Sequence, residues 1–179
     1  GSGLVGSEMC IRDRYMNDII KGNNTKNPKL FGPGAKMTRA MLVTVLYRAA
    51  GEPTVTGITN KFTDNKQGQY YYNAVLWASN MGIVNGATAT TFDPDGNITR
   101  EQIAAILYRY AGSPSVTGSL SGYSDQAQVS SFAVTAMQWA VGSGIITGVT
   151  SGGRTTLSAK GNATRAQVAV MLHRFLTFE

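Results

Sequence analysis

The sequence predicts an all-α protein built from tandem copies of a helix–loop–helix unit. Two repeated phrases and a recurring helix cap carry that prediction. The first phrase begins on an apolar residue, crosses a glycine-rich loop to a Thr-Arg pair, and closes in an amphipathic helix. It occurs three times: "FGPGAKMTRAMLVTVLYRAAG" at 31–51, "FDPDGNITREQIAAILYRYAG" at 92–112 and "LSAKGNATRAQVAVMLHRFL" at 157–176. Its threonines, Thr38, Thr99 and Thr164, recur about every 60 residues, a spacing that identifies a repeat architecture before any local motif is considered. The second phrase occurs twice, as "FTDNKQGQYYYNAVLWASNMGIVNG" at 62–86 and "YSDQAQVSSFAVTAMQWAVGSGIITG" at 123–148.

Each unit reads as a first helix, a tight glycine turn, an irregular loop and a capped second helix. Aromatic-x-Asp opens the unit at Asp64 or Asp125, and an alanine-rich helix follows, carrying Trp77 or Trp139. Gly82 and Gly144 are placed to end that helix in a left-handed C-cap. An apolar pair and a glycine, Gly86 or Gly148, lead into the loop. Thr99 then reads as an N-cap with Gln102 three residues on, and Thr164 with Gln167 likewise, the threonine/glutamine form of the capping box. In the second unit Ile103, Ala104, Ile106, Leu107 and Tyr110 follow at helical spacing, and Gly112 stops the run. The units occupy 15–51, 62–112 and 123–176, the first lacking its front half. Residues 1–14 match no part of the repeat and are expected to be a non-native leader, the alternative being a divergent first helix.

Composition excludes several classes. No run approaches the roughly 20 apolar residues of a membrane span, so no membrane insertion is expected. The single cysteine, Cys10, falls in the leader, leaving the repeats without thiolates for a disulfide or a metal. The single histidine, His173, occupies the helix position of Tyr47 and Tyr108 and is no general base. "DPDGN" at 93–97 has the early oxygen spacing of a calcium loop, yet Ile98 and Ala104 stand where glycine and glutamate belong, so a turn explains it better. No nucleophile elbow, zinc-protease motif or phosphate loop occurs. The expectation is therefore no catalysis, no catalytic residues, no metal and no cofactor. A net charge of +6 and a pI near 9.6 are compatible with simple solubility or with an anionic partner.

Arg39, Arg100 and Arg165 stand out because each opens a helix, where the dipole disfavours a cation by roughly 0.3–1 kcal/mol. A helix start supplies N–H groups to an anion, and a guanidinium beside it supplies a fork for a carboxylate. The competing reading is a surface arginine paired with a loop acid. Arg48, Arg109 and Arg174, near helix C-termini, suit the dipole and read as structural. Trp77 and Trp139 are open between core packing and a stacking platform for a ligand. Asp64 and Asp125 are open between accepting hydrogen bonds from a ligand and tying down a turn. Gly86 and Gly148 allow positive φ or close backbone approach, with ligand contact as the further possibility.

The ordered set of aromatic-x-Asp, Trp-Ala helix, Gly-Ile-x-x-Gly and Thr-Arg helix start resembles the S-layer homology domain, across roughly 15–176. The resemblance implies three repeats around a pseudo-threefold helical core. It also implies inter-repeat grooves that bind an anionic, pyruvylated secondary cell-wall polysaccharide and hold an exported protein on a bacterial surface. The family's motif arginines contact the sugar, and Arg39, Arg100 and Arg165 match them. The usual glutamate after Thr-Arg-Ala is missing, replaced by Met41, Gln102 and Gln167. Two other functions stay open: a surface-layer segment that self-associates, and a nucleic-acid-binding helix opened by Thr-Arg-Glu-Gln. The second is disfavoured by the acidic second unit and the lack of a basic stripe.

Overall fold

The computed structural model describes residues 32–177. The expected leader at 1–14, Cys10 and the remnant of the first unit up to Phe31 lie outside the described residues. Among the described residues five α-helices follow in order: α1 (Arg39–Ala49), α2 (Tyr72–Asn80), α3 (Arg100–Tyr110), α4 (Val134–Gly142) and α5 (Arg165–Leu176). Short 3-10 turns at Gln126–Gln128 and Ser131–Ala133 lead into α4. One two-stranded antiparallel hairpin, β1 (Val149–Ser151) with β2 (Arg154–Thr156), departs from the all-α expectation. It forms because Gly152 and Gly153 both take positive φ, 56° and 75°, as the tight turn between twisted strands requires.

The caps form as their sequences dictate. Thr99 and Thr164 each accept a bond from the N–H three residues on, and the glutamines there reach back, completing both capping boxes. Thr38 accepts from the Met41 N–H, but methionine cannot reciprocate. After α2 and α4 the chain turns on Gly82 and Gly144, at φ 70° and 69°, an αL conformation that any Cβ would strain.

Packing crosses the unit boundaries. Helix α1 of the first unit lies against α2 of the second, and α3 of the second against α4 of the third. Just ahead of the Thr-Arg helices, three backbone bonds form a closed ring. The Met37 N–H donates to Ala163 O at 3.0 Å, Ala163 N–H to Ile98 O at 3.0 Å, and Ile98 N–H back to Met37 O at 2.9 Å. Met37, Ile98 and Ala163 are completely buried there. At the far ends of the same helices an aromatic chain fills the core. Tyr47, Trp77, Tyr110, Phe175, Trp139 and Tyr108 touch in that order, with ring centroids 5.5–6.1 Å apart. Between ring and aromatics, Leu42, Leu46, Ile103, Leu107 and Leu172 give the helices their buried faces. A core of this extent is what units that are each apolar on one side only can make together.

Candidate functional site: a cleft between repeats

The backbone N–H groups at the helix starts are already engaged, which corrects the expectation that they wait for an anion. Arg39 N–H donates to Gly96 O at 2.9 Å and Ala40 N–H to Pro94 O at 3.0 Å. Arg100 and Glu101 do the same to Gly161 and Ala159, and Arg165 and Ala166 to Ala35 and Pro33. Each helix start is thus sealed by the loop of another unit, and the donors that a dipole-bound anion needs are occupied.

The arginine side chains extend the same seal. Arg39 Nε donates to Phe92 O at 2.9 Å and Nη2 to Asn85 O at 3.0 Å. Arg100 Nε donates to Leu157 O at 2.8 Å and Nη2 to Thr147 O at 2.9 Å. The guanidinium therefore clamps two turns of the next unit's loop, which outweighs the dipole penalty at its helix position. All three arginines are buried, and burial lowers the pKa of each from its ordinary value. Among the described residues neither Arg39 nor Arg100 sits in an ion pair, and the bonds they make are to backbone carbonyls instead of a loop acid. Arg165, also at a helix start, places Nη1 3.6 Å from Met41 Sδ.

The other expected site residues divide the same way. Asp64 receives the Phe92 and Asp93 N–H groups, both at 2.7 Å, and Asp125 receives those of Leu157 and Ser158 at 2.7 and 2.8 Å. Each carboxylate pins the start of its unit to the loop before the second helix, the turn-fixing role. Burial raises the Asp64 pKa, but the backbone N–H bonds and Lys66 outweigh it and leave the group below its ordinary value. Gly86 owes its identity to crowding, not to positive φ. A Cβ there would meet Thr88 O at 2.2 Å and Phe62 Cε1 at 2.6 Å, and at Gly148 it would meet Tyr123 Cε1 at 2.6 Å. Trp77 and Trp139, 6% and 4% exposed, belong to the aromatic core and present no face to a groove.

Where the units meet, a cleft of about 400 Å³ opens. Arg39 of the first unit, Asn85, Asp93, Gln102 and Arg109 of the second, and Phe132 of the third line it, and Gly86 forms part of its wall. The Arg39 guanidinium rests on the Phe92 ring, 4.8 Å from its centroid, with Asp93 and Asp64 near enough to favour its charge. Arg109 is half-buried, and no hydrogen bond or ion pair engages its side chain among the described residues. Two guanidinium groups against one carboxylate leave the cleft net positive. Two residues in this wall, Arg109 and Phe132, escaped the sequence reading. The helix dipole accounted for Arg109, and Phe132 lay outside the motif, seven residues before Trp139. Among the described residues no group of three or more potential metal-ligating side chains assembles.

The repeat pattern is also recognised by comparison with known proteins. A family model described as the S-layer homology domain matches residues 61–104 and 122–169, more than half of the chain. The chain belongs to the S-layer homology domain family. Over 159 residues it is 32% identical to the "Surface-layer 125 kDa protein" of Lysinibacillus sphaericus, covering 87% of this chain and 13% of that protein. It is also 32% identical over 170 residues to an "Endoglucanase" of Bacillus sp. (strain KSM-635), covering 93% and 17%. With an "Amylopullulanase" of Thermoanaerobacterium thermosulfurigenes it shares 27% identity over 176 residues, covering 93% and 9%. This S-layer homology chain thus spans between 9% and 17% of the length of these relatives.

Proposed function

We propose that this S-layer homology chain is a non-catalytic anchoring module that holds a larger exported protein on a bacterial cell wall. Its ligand is an anionic secondary cell-wall polysaccharide, gripped in the inter-repeat cleft. The observation that carries the proposal is the pair of arginines, Arg39 and Arg109, lining one cleft that three units build. Arg39 keeps Nη1 beyond its two backbone bonds, and Arg109 keeps its whole fork. Together they suit a carboxylate fixed on a sugar, such as a pyruvate ketal.

The comparisons support the same reading. Proteins named for a surface layer and for cleaving glycans match over the same modest stretch, as a portable attachment segment does. The backbone ring supports an architecture of three units about a pseudo-threefold axis. On that axis Arg100 with Arg174, and Arg165 with Arg48, are the counterparts of the Arg39–Arg109 pair. The test is co-sedimentation with purified wall sacculi before and after the secondary polymer is stripped. Loss of binding on stripping is expected; equal binding to both preparations overturns the proposal. Sedimentation velocity at rising concentration, without glycan, tests the self-assembly alternative.

A further inference from the structure

Tyr70 and Phe132 are large aromatic residues that the fold leaves in solvent, at 59% and 56% exposure. A lone exposed aromatic needs no explanation. These two occupy the same place in successive units, each seven residues before the helix tryptophan, Trp77 or Trp139. Phe132 lines the cleft that holds Arg39 and Arg109, so that cleft combines a helix-start arginine from the first unit, a helix-end arginine from the second and an exposed aromatic from the third.

We infer that Phe132 is the sugar-stacking wall of the Arg39–Arg109 cleft. The inference rests on the glycan reading above and adds to it the face by which the sugar is held. A hexose ring has an apolar C–H face and a polar rim. With the carboxylate held by the guanidiniums, that face needs an apolar partner across the cleft. The Phe132 ring supplies one at little entropic cost, since it has only two side-chain torsions to fix. Phenylalanine offers no hydrogen bond, so its contribution is contact with the ring face and selects pyranoses whose C–H groups lie on one side. The tryptophans cannot do this, because both indoles are consumed in the core.

The experiment titrates the full chain with the methyl glycoside of a pyruvate-ketal hexose and with the same glycoside lacking the ketal. Affinity is read by calorimetry and sugar C–H chemical shifts by NMR. For the wild type we expect binding of the ketal form with upfield-shifted ring protons. In Phe132→Ala affinity should fall about tenfold and the upfield shifts should shrink, while Phe132→Trp should stay within about twofold. Phe132 is mostly exposed, so Phe132→Ala is expected to retain the wild-type circular dichroism and melting curve. Wild-type binding that Arg109→Gln abolishes but Phe132→Ala leaves unchanged overturns the stacking role and spares the anchoring proposal. Absence of wild-type binding to both glycosides, with sacculi still captured, overturns the cleft chemistry and the stacking role together.

Discussion

The corners at Arg39 and Arg100 share a scaffold and differ in everything attached to it. In both, Nε and Nη2 reach two carbonyls of the following unit, at 2.9 and 3.0 Å in the first and 2.8 and 2.9 Å in the second. Around that shared clamp the surroundings diverge. Arg39 lies over the Phe92 ring, whereas Leu157 holds the matching place beside Arg100. Arg109 is unengaged in its cleft, whereas Arg174 Nη1 bonds Ile145 O and Thr147 Oγ1 at 3.4 Å and repels Arg100. Glu101, which has only alanine counterparts in Ala40 and Ala166, receives Ser130 and Lys160 at the second corner. What repeats is the clamp that assembles the units; what varies is the wall a ligand would meet. The motif arginine is therefore first an assembly residue.

The largest effects should come from breaking the shared clamp. Arg39→Ala and Arg100→Ala each strand two inward carbonyls, and each should cost about 2–4 kcal/mol in urea unfolding. A variant as stable as wild type at either position would show that the clamp does not hold the units together. Next come the carboxylate pins. Asp64→Asn and Asp125→Asn should each lose about 1–3 kcal/mol, since an amide oxygen replaces a charged acceptor for one N–H and an amide N–H faces the other. Unequal losses would mean that the two units do not share this pin.

Acid should separate the corners further. Asp64 and Glu101 both have folded pKa values below their ordinary ones. For Glu101 burial raises the pKa, and bonds from Ser130 and Lys160 more than reverse it. A depressed folded pKa adds stability above the unfolded value, and that stability is lost as pH falls through the folded one. Urea midpoints should therefore drop below about pH 4. Glu101→Gln should flatten part of that slope and cost about 1 kcal/mol at pH 7, at the second corner alone. An unchanged slope would remove Glu101 from the acid response. The smallest stability effect belongs to Arg109→Gln, within about 0.5 kcal/mol of wild type, although sacculus binding should fall. Unfolding of this variant would return Arg109 to a structural role.

Repeats and caps were legible because they are local. The two capping boxes and the left-handed glycines follow from residues within four positions of one another. The hairpin was also legible in principle, since Gly152-Gly153 is a two-residue turn signal, but it interrupts a region whose repeat partner is an irregular loop. Partners of the arginines were not legible. Arg39 bonds Asn85 and Phe92, some fifty positions away, and nothing in a Thr-Arg pair says that its donors will meet carbonyls instead of a ligand. Trp77 and Trp139 satisfied two patterns at once, and only burial distinguishes a core indole from a platform. Phe132 was recoverable, because counting back from each tryptophan finds an aromatic both times.

The circle of bonds through residues 37, 98 and 163 has a further implication. A linear stack of repeats can lengthen by duplication, each newcomer resting on the last. Here each of the three positions bonds the other two, so removing any one strands a backbone N–H and a carbonyl on its neighbours. The hub thus seats each of its three segments only in company with the other two.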